Sequence, residues 1–498
     1  MTKGLFLVDY TGHAGSTGWS DEAIFTLTGA KTLSNKHLPV FVGATCSFSS
    51  FDKLVVSAGE EVVLNPIGGG IGIFAAARSV LSGANSPLNI SFCTNLFRKV
   101  NGEQMRVGDV VSYAKNDVGA QSNKLSYIYF GDPAVKLNCP TKYQVVTTKV
   151  NQNEVLGNDT LHALQVATVD GIVVDENNNQ VTDFNGVVHV TVYDKIQKIT
   201  TLNNHDDGSM TYEDRPCVLF SGNAEVKNGA YNFTFKLPKD IKYNYGAGRI
   251  NYYAQDDNNG YEAQGYFENF TVGGSCSAAT DATDEPTLQL YLNSKKFVSG
   301  DKVNESPLFM AAINDPNGVN TVGSGIGHDL LLTIDEDDDN SKQSYVLNDF
   351  FELKLNCYTA GDVQYKLSNL ANGKHKLTFR AWNLLNISTK KAIDFEVVKG
   401  LTPEILNVYN YPNPAKTTTK IVVEHDRPET VVTTTIEIFD LAGRKVWAFA
   451  EPTTDDINWD LVGANGNRVK AGIYLYRVNI KTANSDICSK TQKISIID

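Results

Sequence analysis

Short apolar runs near the start of the chain alternate with stretches of mixed polarity. Residues 5–10 read as a strand. Residues 38–45 and 70–77 are apolar without alternation, the pattern of strands buried on both faces. Between and after them, residues 57–64 and 90–99 read as helices. On the second, Phe92, Leu96 and Phe97 share one side with Cys93, which marks that cysteine as a core residue. Strands alternating with helices predict a mainly parallel α/β sheet over residues 1–140. The run Gly68, Gly69 and Gly70 lacks the Gly-Lys-Ser/Thr ending of a phosphate loop and precedes a strand, so it reads as a tight turn.

From residue 141 the helical pattern stops. Residues 141–274 carry short alternating strands such as 186–193 and 231–237, separated by Asn-, Asp- and Gly-rich loops at 175–179 and 203–208. This is the signature of an antiparallel β-sandwich of immunoglobulin-like kind. Residues 275–285 are small and polar and read as a linker, and 286–400 form a second β-rich domain. Within it, His328 and Asp329 are neighbours on the chain; strand neighbours face opposite ways, so they read as a structural turn. The acidic run 335–340 lacks EF-hand spacing and reads as a solvated hairpin tip. Residues 402–498 again alternate, with Gly-containing turns, as a small terminal sandwich.

At 498 residues the chain is too long for one core. Its net charge of −12, without a basic block, argues against a nucleic-acid partner. No apolar run is long enough to cross a bilayer, and residues 1–4 do not resemble a signal peptide. The seven cysteines are scattered, with neither zinc-type pairs nor a dense disulfide framework, so no metal or cofactor is expected. An odd count leaves one thiol unpaired even if the rest bridge, and Cys46 is the natural candidate.

Two residues could form a catalytic pair. His13 follows the strand at 5–10 inside a Gly-rich turn, and Cys46 follows the strand at 38–45. Two parallel strands ending in these side chains would bring both to the carboxyl edge of one sheet, where open α/β sheets build their sites. A thiol beside an imidazole there can act as a nucleophile with its own base.

The residues Thr11 to Trp19 and Ala44 to Asp52 resemble the gingipain branch of the caspase-like cysteine peptidases, and in detail the sortases of type IX secretion. The runs Ser57 to Glu61, Leu64 to Pro66, Gly68 to Gly72, Arg78, and Phe130 to Pro133 continue the likeness. Residues 409–415, 436–444, 459–460 and 469–478 look like a type IX C-terminal sorting domain. The resemblance implies a truncated caspase-like α/β module over 1–140, followed by antiparallel β-sandwich domains. It also implies that Cys46 is the nucleophile and His13 the base, with an oxyanion hole made by the backbone N–H groups of Ala14 and Cys46. Cargo bearing C-terminal sorting domains, an anionic lipopolysaccharide acceptor and an outer-membrane shuttle barrel of the PorV kind would be its partners, at the cell surface. A gingipain-like secreted endopeptidase and an inactive surface fragment or adhesin are the alternatives.

Two departures bear on this. The family usually has Gly after the histidine, where this chain has Ala14; alanine keeps the N–H but disfavours positive φ. Caspase-like sheets also place strands before the histidine strand. The chain opens almost at that strand, and so reads as the C-terminal portion of a longer protein.

Overall fold

The computed structural model describes residues 5–138, 142–154, 159–203, 208–276, 283–321, 327–368, 370–428, 432–453, 456–482 and 488–497. It separates into two compact units, 1–140 and 141–498. Cys139, Pro140 and the string 323–326 lie outside the described residues.

The first unit is built on a four-stranded sheet. In chain order its elements are β1 (Leu7–Thr11), β2 (Ala14–Gly15), β3 (Gly18–Trp19), β4 (Phe25–Thr26), α1 (Leu27–Thr32), β5 (Val40–Ala44), α2 (Ala58–Leu64) and β6 (Gly72–Ala76). There follow α3 (Ser82–Leu96), β7 (Lys99–Val100), β8 (Glu103–Gln104), α4 (Val107–Asp117) and β9 (Tyr127–Gly131). The sheet order is β1-β5-β6-β9. The first three strands are parallel, and β9 returns antiparallel along β6.

Alternate side chains of the buried strands feed two cores, which is why those strands carry no polar alternation. Val40, Val42, Phe74 and Ala76 pack with Leu88, Phe92 and Leu96 of α3 and with Val110 and Ala114 of α4. On the other face Phe41, Ile73 and Ala75 pack with Trp19, Ala30, Phe48, Ala58 and Val62. The helix expected at 90–99 begins earlier and ends sooner, at Ser82–Leu96, and contains Pro87. Its Ser- and Gly-rich start has poor intrinsic propensity, and burial of Leu88, Phe92 and Leu96 overrides it. Cys93 is only half-buried beside this core rather than inside it.

In the second unit, seven strands between Tyr143 and Phe267 form one continuous ladder that curls until its ends meet. The closing pair, Tyr143 with Ala263 and Gln144 with Gln264, is parallel, while every other pair around the ring is antiparallel. Six antiparallel steps around an odd number of strands require this. Residues 287–397 form two facing sheets, and one contiguous apolar cluster runs from Tyr143 to Val397 through both regions. The acidic run forms the turn between strands Leu331–Ile334 and Gln343–Val346, with the Asp338 carboxylate accepting the Asn340 N–H at 3.0 Å. His328 pairs with Asp240 at 3.1 Å and lies on the Trp382 ring, a structural role. Residues 405–496 form a further two-sheet sandwich with its own core around Trp459 and Tyr476.

Candidate active site

The registers of β1 and β5 set the geometry. Thr11 pairs with Ala44 as the last step of the parallel ladder, and the Gly12 N–H reaches Ala44 O at 3.4 Å. His13 and Cys46 therefore each lie two residues beyond the last paired position of adjacent strands, whose axes are about 4.8 Å apart. Both sit at the carboxyl edge of the sheet.

The His13 backbone is pinned twice: its carbonyl accepts the Tyr10 hydroxyl at 2.9 Å and the Ser20 N–H at 2.8 Å. Its imidazole is exposed and makes no hydrogen bond among the described residues. The Cys46 thiol is half-buried. It donates to Val80 O at 3.3 Å, and the Val80 N–H donates to the sulfur at 3.4 Å. The thiol thus rests in a backbone cradle formed by residue 80, and the two side chains share no hydrogen bond.

The loop carrying Cys46 is held on three sides. Ser47, directly after it, has φ 48°, a conformation rare for a residue with a side chain. The Ser47 N–H donates to Arg78 O at 3.0 Å and the Ser49 N–H to Ala76 O at 3.1 Å, both just past β6 or at its end. The Ser50 hydroxyl reaches Ser47 O at 2.7 Å and Ala77 O at 3.1 Å. Helix α2 adds the third support. Ser57 caps it in a capping box with Glu60. Two of its first free N–H groups are then spent on the site: Ala58 donates to Ser16 O at 2.7 Å, in the hairpin after His13, and Gly59 to Phe48 O at 3.1 Å.

Ala14 lies in β2, an edge strand of a three-stranded antiparallel sheet, opposite Trp19. Because Ser20 N–H donates to His13 O, the neighbouring pair Ala14/Trp19 is a non-hydrogen-bonded one. The Ala14 N–H therefore points out of the ladder, and it has no acceptor among the described residues. Neither has the Cys46 N–H. Ala14 is not among the residues with positive φ, so the methyl group costs no backbone strain here.

Trp19 fastens the hairpin to the rest. Its buried ring stacks on Tyr10 at 4.5 Å and meets Phe25 at 5.0 Å, Phe48 at 5.2 Å and Phe41 at 6.4 Å. It thereby touches β1, β5 and the Cys46 loop together. At the rim Arg78 clasps Asp52 at 3.0 and 2.7 Å. Both side chains are about half exposed, so the pair contributes under about 1 kcal/mol. Sequence reasoning identified neither the Val80 cradle nor the clamp by α2 and Trp19. An isolated tryptophan beside the histidine turn was the one available signal.

The thiols at 46, 93, 217, 276 and 357 are all free, so Cys46 is not singled out by being the odd one. Chemistry separates it from Cys93. Burial, and the nearby Asp9 carboxylate that its thiol meets at 3.7 Å, push Cys93 up to about 11. A thiol reacts as its thiolate. Cys93 should therefore resist alkylation at neutral pH and gain rate steadily as pH rises toward 11. Rates read by peptide mass spectrometry check this, and fast labelling of Cys93 at pH 7 would contradict it.

Residues 1–138 match the model of peptidase family C25, and residues 409–496 match the secretion system C-terminal sorting domain. Curated proteins give no significant match. Among solved structures the chain is similar to dimeric latent PorU from Porphyromonas gingivalis. Identity is 29% over 86% of this chain and 41% of that one, with a TM-score of 0.38. It is also similar to the Arg-specific cysteine proteinase gingipain R (RgpB). Here identity is 18% over 54% of each chain, and the TM-score is 0.25. The chain thus spans less than half of that PorU chain and about half of that gingipain. By these matches residues 1–138 are similar to peptidase family C25 and residues 409–496 to the secretion system C-terminal sorting domain.

Proposed function

We propose that this protein is a surface cysteine peptidase and transpeptidase of the type IX secretion system, acting as a sortase. The reading is carried by one observation: a cysteine and a histidine end adjacent parallel strands, beside two backbone N–H groups that have no acceptor among the described residues. Rotation about the Cys46 side chain takes the thiol out of the Val80 cradle toward His13. His13 accepts the thiol proton while sulfur attacks the peptide carbonyl preceding a cargo protein's sorting domain. The Ala14 and Cys46 N–H groups stabilise the tetrahedral oxyanion. Protonated His13 then gives its proton to the leaving amine, and a thioester remains. An amine on anionic lipopolysaccharide takes the acyl group and anchors the cargo, with water as the competing acceptor. The chain's own sorting domain and an outer-membrane shuttle barrel of the PorV kind would keep the catalytic unit at the cell surface.

Iodoacetamide labelling of the full chain near neutral pH tests the reactive pair. Cys46 should be modified fastest among the thiols, and His13→Ala should slow it about tenfold or more. Uniform slow labelling, unchanged by the substitution, would remove the catalytic assignment. Cargo peptides with an added amine then separate transfer from hydrolysis.

A further inference from the structure

A lysine, a carboxyl and an asparagine lie buried together in the second unit. Lys236, at the end of strand Ala230–Lys236, is 8% exposed, and Asp315 and Asn383 are fully buried. The Lys236 side chain has no hydrogen bond and no direct ion pair among the described residues; its charge partner through space is Asp315. Asp315 in turn is hydrogen-bonded to Asn383, whose Nδ2 donates to its Oδ2 at 3.0 Å. The segment after Lys236 runs beside the Asn383 turn: Lys239 N–H donates to Leu384 O at 3.0 Å, and Asn386 Nδ2 to Asp240 Oδ1 at 2.7 Å. That adjacency keeps the flexible lysine stem within reach of the turn.

The Asn383 amide is already arranged for attack. Its Oδ1 accepts the backbone N–H groups of both Leu385 and Ile387 at 2.9 Å, the two-donor pattern that polarises a carbonyl and holds a developing oxyanion. Its nitrogen faces the Asp315 carboxyl and, at 3.1 Å, the Asp284 carbonyl.

We propose that Lys236 and Asn383 are joined by an intramolecular isopeptide bond, with Asp315 transferring the proton. The neutral Lys236 amine attacks Asn383 Cγ, and the Nζ–Cγ bond forms. The Cγ–Nδ2 bond breaks, Asp315 protonates the departing nitrogen, and the proton lost from Nζ restores the Asp315 carboxyl. Ammonia leaves, and nothing is oxidised or reduced. The product keeps Oδ1, so the Leu385 and Ile387 hydrogen bonds survive. Burial favours the required protonation states: it lowers the Lys236 ammonium from its usual range and raises the Asp315 carboxyl, against the smaller pull of their mutual charge.

The bond would tie the closed ring of strands to the sandwich that follows it, closing a loop from 236 to 383. Intact mass spectrometry of the purified full chain tests the proposal. The expected result is a mass lighter by one ammonia, with a branched Lys236–Asn383 peptide after digestion. Lys236→Arg and Asp315→Ala should each restore the full mass. A wild-type chain at its sequence mass with no branched peptide overturns the proposal. Loss of water with a Lys236–Asp315 branch would overturn Asn383 as the acceptor.

Discussion

Replacing Trp19 by Ala is expected to loosen both loops of the candidate site at once. The ring is 5% exposed and lies against Tyr10, Phe25, Phe41 and Phe48. Truncating a buried aromatic of this kind costs about 3–5 kcal/mol, because the cavity cannot fully collapse. The loss falls on a sheet of three two-residue strands whose other ties are a few backbone hydrogen bonds, such as Ala58 N–H to Ser16 O. We therefore expect fast amide exchange in residues 14–26 and slower alkylation of Cys46, while the strands of residues 143–397 keep their protection. Trp19→Phe should recover part of both. Unchanged exchange in the hairpin after Trp19→Ala would refute the clamp.

The second large effect is expected at Gly59. A Cβ there would lie 2.3 Å from Ser49 Oγ, 2.8 Å from Phe48 O and 3.1 Å from Ser49 Cα. The serine oxygen can rotate away, but the backbone atoms cannot. Gly59→Val must therefore separate α2 from the Cys46 loop and break the hydrogen bond to Phe48 O, at a cost of about 1–3 kcal/mol. Its mark should be loss of selective Cys46 labelling in a chain that still folds. Ser57→Ala is the comparison: it removes the cap at a cost of about 1 kcal/mol without pushing on the loop. Equal labelling in Gly59→Val and wild type would show that the close approach of helix and loop does not matter.

Much of this unit was legible because burial writes itself plainly into strands. Val40 to Ala44 and Gly72 to Ala76 are buried at every position, and their unbroken apolar runs announce it. Ser57 followed by Glu60 announces α2 equally well. Helix α3 hid behind Ser82, Gly83 and Pro87, whose preferences are overruled only by packing on the sheet. The placement of His13 and Cys46 followed from their positions after apolar runs. The cradle at Val80 could not be read, because it joins a thiol to backbone 34 residues away. The ring closure of Tyr143 on Ala263 was hidden for the same reason: side-chain alternation reports which face is buried, not which distant strand is the neighbour.

One feature of α2 acts as a gauge. Consecutive peptide groups, those of Ala58 and Gly59, grip the histidine hairpin and the cysteine loop respectively. Their spacing is fixed by the helical repeat, about 1.5 Å of rise per residue. The separation of the two reactive loops is therefore metered by backbone covalent geometry in addition to the packing of the Trp19 ring. Exchanges on the outer face of the helix should therefore leave that spacing untouched.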